Sequence, residues 1–136
     1  MNGRALLLLS FAFMMGCRGV ENRQIDQKKF ELLLSAARDV EADIDANAGL
    51  RKELLRKLKA EASMAESRAS TEAERNMTRL YGDAASMFQF SESIRESEQA
   101  TGKMPASDDP KSSARFRRLG IEKLSQAKQI LQGKQP

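Results

Sequence analysis

The chain has 136 residues, with 23 Lys and Arg against 19 Asp and Glu, no histidine, no tryptophan and one cysteine. That length admits one domain with a modest core, and a formal charge of +4 interleaved along the chain is no electrostatic footprint for nucleic acid. Without histidine the commonest metal ligand and the commonest general base are missing, so zinc, haem and nucleophile–base dyads have almost nothing to build on. Ala, Leu, Glu, Lys, Arg and Gln are abundant and the three prolines all follow residue 104, a composition that favours helices.

The N-terminus carries one base, Arg4, and then an apolar run of eleven residues from Ala5 to Met15. As a helix it would be about 16 Å long, too short for a hydrocarbon core of about 30 Å. Its length and flanks fit a cleavable leader over residues 1–16. The run ends in Met14-Met15-Gly16-Cys17, which resembles the lipobox of bacterial lipoprotein precursors. The resemblance implies cleavage between Gly16 and Cys17, a diacylglycerol on the Cys17 sulfur, often an acyl group on the new amine, and a membrane-anchored protein of the cell envelope. It also implies the outer membrane if the source is Gram-negative, because Arg18 stands where the inner-membrane retention signal would be Asp. A lone cysteine in an exported chain has no internal disulfide to make, and lipidation resolves the odd count. An ordinary secretory leader or an uncleaved anchor are the alternatives. Residues 17–25 lack apolar periodicity and read as a tether, the stretch Arg18 to Ile25 reaching at most about 28 Å.

Residues 26–132 carry four apolar stripes at helical spacing, and 133–136 read as a tail. The first stripe is Phe30, Leu33, Leu34, Ala37, Val40, Ile44, with Asp26 as N-cap and a stop at Asn47-Ala48-Gly49. The second is Leu50, Leu54, Leu55, Leu58, Ala62, Ala65, Ala69. The third is Ala73, Met77, Leu80, Ala84, Met87, Ser91, Ile94, widened by Tyr81, Phe88 and Phe90. The fourth is Phe116, Leu119, Leu124, Ala127, Ile130, Leu131, opened by Asp109-Pro110 after a Pro/Ser/Asp-rich loop and closed by Gly133. Thr71-Glu72-Ala73-Glu74 fits a capping box and argues for a fresh start. No Gly, Pro or Asn lies between Leu50 and Arg75, however, which favours one helix from about 50 to 100, bent near Ser70. The expected fold is all-α: two antiparallel helical hairpins sharing a long central helix, or a four-helix bundle.

Charge supports the hairpins. Residues 26–47 carry six acids against three bases, and residues 50–69 six bases against three acids. The acids crowd the end of the first helix and the bases the start of the second, each against its own dipole, a conflict that antiparallel pairing offsets. Glu92, Glu96 and Glu98 stand in the same relation to Lys111, Arg115, Arg117 and Arg118. Lys57 and Lys59 are expected to take part in the first pairing.

No catalytic constellation is evident. Asp39, Glu41, Asp43 and Asp45 alternate along a helix, so they point around its axis rather than at one ion. No Gly-rich phosphate loop is present. The wide face of Met77, Tyr81, Met87, Phe88 and Phe90 suits a partner helix, or simply the middle of a bundle. Tyr81-x-x-Ala84-x-x-x-Phe88 is similar to the second helix of a tetratricopeptide repeat, which would imply a peptide-binding groove; the rest of that pattern is absent upstream. Arg115, Arg117 and Arg118 are candidate contacts to an anionic surface. The expectation is a non-enzymatic, membrane-tethered helical scaffold or protein-interaction module. It needs no cofactor beyond the lipid on Cys17, no nucleic acid and no small-molecule substrate, and has a protein partner or a second copy as its ligand.

Overall fold

The structure is a computed structural model that describes residues 25–46 and 49–134. Cys17, Gly16 and the leader lie outside the described residues, as do Asn47 and Ala48. A 3-10 turn, Gln27–Phe30, leads into α1, Glu31–Ala46; then follow α2, Lys52–Arg68, α3, Glu72–Thr101, and α4, Ser113–Leu131. Four helices and no strand are found among the described residues, the all-α fold that the four stripes require.

The 3-10 turn, α3 and α4 each open on a side-chain cap, whereas Arg51, at the start of α2, makes no side-chain cap bond. The Asp26 carboxylate accepts the Lys28 N–H at 3.1 Å and opens the 3-10 turn. Phe30, Leu33, Ala36, Ala37 and Val40 then fall on one buried face. On α2 the buried face is Leu55, Leu58, Ala62 and Ala65. α3 is buried along most of its length, at Met77, Tyr81, Ala84, Ala85 and Phe88, because it is the inner helix with neighbours on more than one side. It ends at Gly102, whose φ of 68° is the left-handed conformation that glycine adopts at no steric cost.

The expected continuous helix from 50 to 100 is not present. The chain leaves the helical path at Ala69, φ −67° and ψ 126°, and re-enters after Thr71. Thr71 Oγ1 accepts the Glu74 N–H at 3.1 Å, while the Glu74 carboxylate accepts the Ser70 N–H at 3.3 Å. These reciprocal bonds supply the turn that glycine or proline would otherwise provide. The fourth helix also starts later than Asp109-Pro110 suggests. Ser112 is the cap, its Oγ accepting the Arg115 N–H at 3.2 Å, while Asp109 is spent on the Lys111 N–H in the preceding turn.

Consecutive helices pack antiparallel, and α3 and α4 share the most extensive contact. Their contact is set at Gly120, where an added Cβ would lie 2.7 Å from Phe88 Cε1, so the Phe88 ring rests directly on the α4 backbone. The largest fully buried side chains include Tyr81, Phe30, Phe88, Leu33, Leu55, Leu58 and Met77, all in one cluster that spans the four helices through Leu124 and Ala127. Ile25, at the end of the expected tether, packs against this cluster.

Candidate functional site: the buried carboxylates and the exposed seams

Among the described residues four carboxylates are buried: Asp43, Glu74, Glu92 and Glu98. Each accepts a main-chain N–H at a junction between helices. Asp43 Oδ2 takes the Arg51 N–H at 2.8 Å and its other oxygen meets the Arg51 guanidinium. Glu92 reaches from α3 to the same corner and accepts the Leu50 N–H at 2.9 Å. Glu98 accepts the Ser113 N–H at 2.9 Å and the Ser113 hydroxyl at 2.7 Å, at the start of α4. Glu74 serves the α2–α3 junction and is also paired with the Lys29 ammonium at 2.8 Å. A helix N-terminus offers unpaired N–H donors and a positive dipole end, so an anion there satisfies both. No buried side-chain nitrogen or oxygen among the described residues lacks a partner.

Two buried groups have their ionisation shifted by these surroundings, Glu74 and Tyr81. Burial alone raises the Glu74 carboxyl, but the Lys29 ammonium and the Ser70 N–H and hydroxyl outweigh it and hold Glu74 below the usual glutamate range. Burial pushes the Tyr81 phenol up to about 12, aided by the nearby Glu41 charge. The acids are therefore structural staples, each tied to a specific donor.

The charge clusters meet differently from the pattern read in the sequence. At the first hairpin Arg51 pairs with Asp43, and Lys52 pairs instead with Glu96 of α3. Lys57 and Lys59 are exposed and pair with no carboxylate among the described residues. At the second hairpin no ion pair joins these acids to Arg115 or Arg118 among the described residues. Glu98 takes the Ser113 amide and Glu92 takes Leu50 and Arg95. Arg117 donates to the Ile44 carbonyl at 3.1 Å and Arg118 to the Ser107 carbonyl at 2.8 Å. Of the three arginines proposed for an anionic surface, Arg115 is exposed, with no side-chain hydrogen bond or ion pair among the described residues.

The expected partner face divides in two. Met77, Tyr81 and Phe88 are inside the core, so they line no open groove. Met87 is half-buried, and Phe90 is 57% exposed and stacked on Phe116 with ring centroids 5.9 Å apart. On the opposite flank of α4 lies a shallow groove against α1 of about 430 Å³, floored by Ile44, Ile121 and Leu124 and rimmed by Glu41, Asp45 and Lys128. A Lys128–Glu41 ion pair of 3.3 Å crosses it.

The sequence reading missed the staples Asp43, Glu92 and Glu98. Their signal is that each acid keeps step with an apolar stripe near a helix C-terminus: Asp43 three residues after Val40, Glu92 four after Phe88, Glu98 four after Ile94. No group of three or more potential metal-ligating side chains occurs among the described residues, and no described helix is long and apolar enough to cross a membrane. No protein family, curated protein or solved structure matches the chain.

Proposed function

We propose that this chain is a bacterial envelope lipoprotein whose four-helix domain is a non-enzymatic scaffold or protein-interaction module, held at the bilayer by lipid on Cys17. The observation that carries the reading is Met14-Met15-Gly16-Cys17 directly after an eleven-residue apolar run. The domain that follows is consistent with a holding role, since its buried polar groups are spent on its own helix junctions. With the stretch Arg18 to Ile25 spanning at most about 28 Å, such a domain stays close to the surface. One acyl chain binds a bilayer only marginally, whereas a diacylglycerol with a further acyl group anchors stably.

The test is fractionation of cells expressing the full chain and its Cys17→Ala variant, with metabolic labelling by a clickable palmitate analogue. The expected result is labelled wild type in the membrane fraction, and unlabelled variant released from it or retained as uncleaved precursor. An unlabelled wild type, or a variant with the same mature mass in the same membrane fraction, overturns the lipoprotein reading.

A further inference from the structure

Two large apolar side chains are exposed near the point where the tether joins the domain: Leu32 on α1, 57% exposed, and Met64 on α2, 45% exposed. A tie between the helices fixes that point. The Lys29 ammonium donates to the Ser70 hydroxyl at 2.9 Å and to the Glu74 carboxylate at 2.8 Å, and Ile25 packs against the core beside it in sequence. Leu32 is three residues after Lys29 and Met64 six before Ser70, so they lie about 4.5 Å and 9 Å along their helices from the tie.

Both belong to the outer edge of the α1–α2 hairpin. Leu32 stands three turns before Asp43, within about 20° of the direction in which Asp43 meets Arg51 at the start of α2. Met64 lies about 160° around α2 from Glu66, which pairs with Arg79 of α3, and so turns away from α3.

Charge along this edge is mixed. Lys28, four residues before Leu32, and Arg68, four after Met64, are exposed and pair with no carboxylate among the described residues. Against them stand Asp26, which caps the 3-10 turn, Glu31 beside Leu32, and Glu61, three before Met64. Farther from the tie, Asp39 and Lys57 are one of each sign. Neither a cationic nor an anionic partner is selected, and the two apolar side chains are what distinguishes the edge.

We infer that this edge seats the domain on the bilayer to which it is tethered, with Leu32 and Met64 entering the interfacial layer. Area decides between this occupant and a protein. The two side chains offer on the order of 200 Å², far short of the roughly 800 Å² that a partner in solution needs. A bilayer sets no such threshold here, because the tether keeps the domain within about 28 Å of it and raises the effective concentration of a weak contact. The anchor holds the domain, and the edge only has to orient it. Seated in this way, the domain keeps the α3–α4 loop off the surface, since Thr101 lies about 40 Å along α3 from Glu74. The seating rests on the lipoprotein reading, so its test supplies the anchor independently.

Cys17 is the only thiol and the chain has no tryptophan, so one anchor and one reporter can each be placed singly. The chain from Cys17 onward, which keeps every contact described above, is coupled through that thiol to a maleimide phospholipid in phosphatidylcholine vesicles, with or without brominated acyl chains. Leu32→Trp and Met64→Trp should each emit at shorter wavelength and be quenched at least about twofold by the bromolipid, with an unchanged circular dichroism spectrum. Met104→Trp, at a loop position 81% exposed, should show neither effect. Adding Leu32→Asp to Met64→Trp should at least halve the quenching. Absence of quenching at both edge positions overturns the inference, as does equal quenching of Met104→Trp, which would mean no preferred seat. Quenching confined to Phe90→Trp would place the α3–α4 seam on the bilayer and overturn it. A blue shift without bromolipid quenching would assign the edge to a second copy, and loss of quenching in about 1 M salt would make the contact electrostatic; either result also overturns it. Because coupling supplies the anchor, a failed seating leaves the palmitate labelling of Cys17 untouched, and failed labelling leaves the seating measurable.

Discussion

Glu92 and Glu96 lie one turn apart on α3, and the structure gives them opposite weights. Glu92 is 3% exposed; it accepts the buried Leu50 N–H at 2.9 Å and holds the Arg95 guanidinium at 3.0 Å. Its truncation in Glu92→Ala strands a buried amide, at about 1–3 kcal/mol, and removes a charge-assisted bond contributing about 1.5–3 kcal/mol that water at the half-exposed Arg95 partly replaces. The gain in helix propensity from alanine returns a few tenths. The net expectation is a loss of about 3 kcal/mol. Glu96 meets Lys52 at 2.6 Å, but both side chains are more than half exposed, 52% and 58%, and an exposed pair contributes between about 0 and 1 kcal/mol. For a domain of this size, with about 4 °C of melting temperature per kcal/mol, Glu92→Ala should melt about 12 °C lower and Glu96→Ala within about 2 °C of wild type. Thermal denaturation followed at 222 nm measures both. Glu92→Gln, which keeps an acceptor for Leu50, should fall between them. Equal effects of the two alanine variants would refute the assignment of stability to burial and amide capping rather than to ion pairing.

The remaining expectations concern charge and pH. Reversing Lys57 and Lys59 to Glu should shift the melting temperature by no more than about 2 °C, because exposed groups without a partner carry within about 0.5 kcal/mol; a large fall would show that the helix-end charge clusters do govern hairpin pairing. Glu74 has its pKa lowered in the folded state, so the stability it contributes is present above the unfolded value, near 4.5, and is lost as pH falls through the folded one. Lys29→Met removes the 2.8 Å ammonium contact. Its destabilisation relative to wild type should therefore be largest near neutral pH and shrink below pH about 4, as read from urea unfolding at a series of pH values. A pH-independent difference would sink that account.

The apolar stripes made the helices legible, since a 3.6-residue period survives without any knowledge of the fold. Residues that break the period were harder to place. The α2–α3 break uses Ala69, Ser70 and Thr71, none of them a strong breaker. It is enforced by Thr71 and Glu74 trading bonds with each other's end of the junction. The capping-box spacing announced that turn, and the absence of glycine and proline spoke against it. Charge clustering misassigned the partners at the helix ends. An acid on the apolar face of a helix end finds backbone amides of the next helix before it finds a long, solvated arginine. The sequence likewise gave no sign that Phe90 would be left outside while Phe88 went in. That distinction depends on which side of α3 receives the α1–α2 pair.

The corner between α1 and α2 is completed by groups of very different origin. Asp43 holds the Arg51 amide from eight residues away, but the neighbouring Leu50 amide is held by Glu92, 42 residues further on. A chain emerging from its N-terminus can therefore close the first hairpin only in part, leaving a buried donor open until the second half of α3 arrives. The two hairpins are thus not interchangeable modules that could be cut apart or repeated. Bringing Glu92 to Leu50 closes a long loop, whose entropy must be offset by the packing of α3 formed at the same moment. The consequence is a fold that is gained and lost as one unit, in which a truncation anywhere before Glu92 would unsettle a corner forty residues upstream.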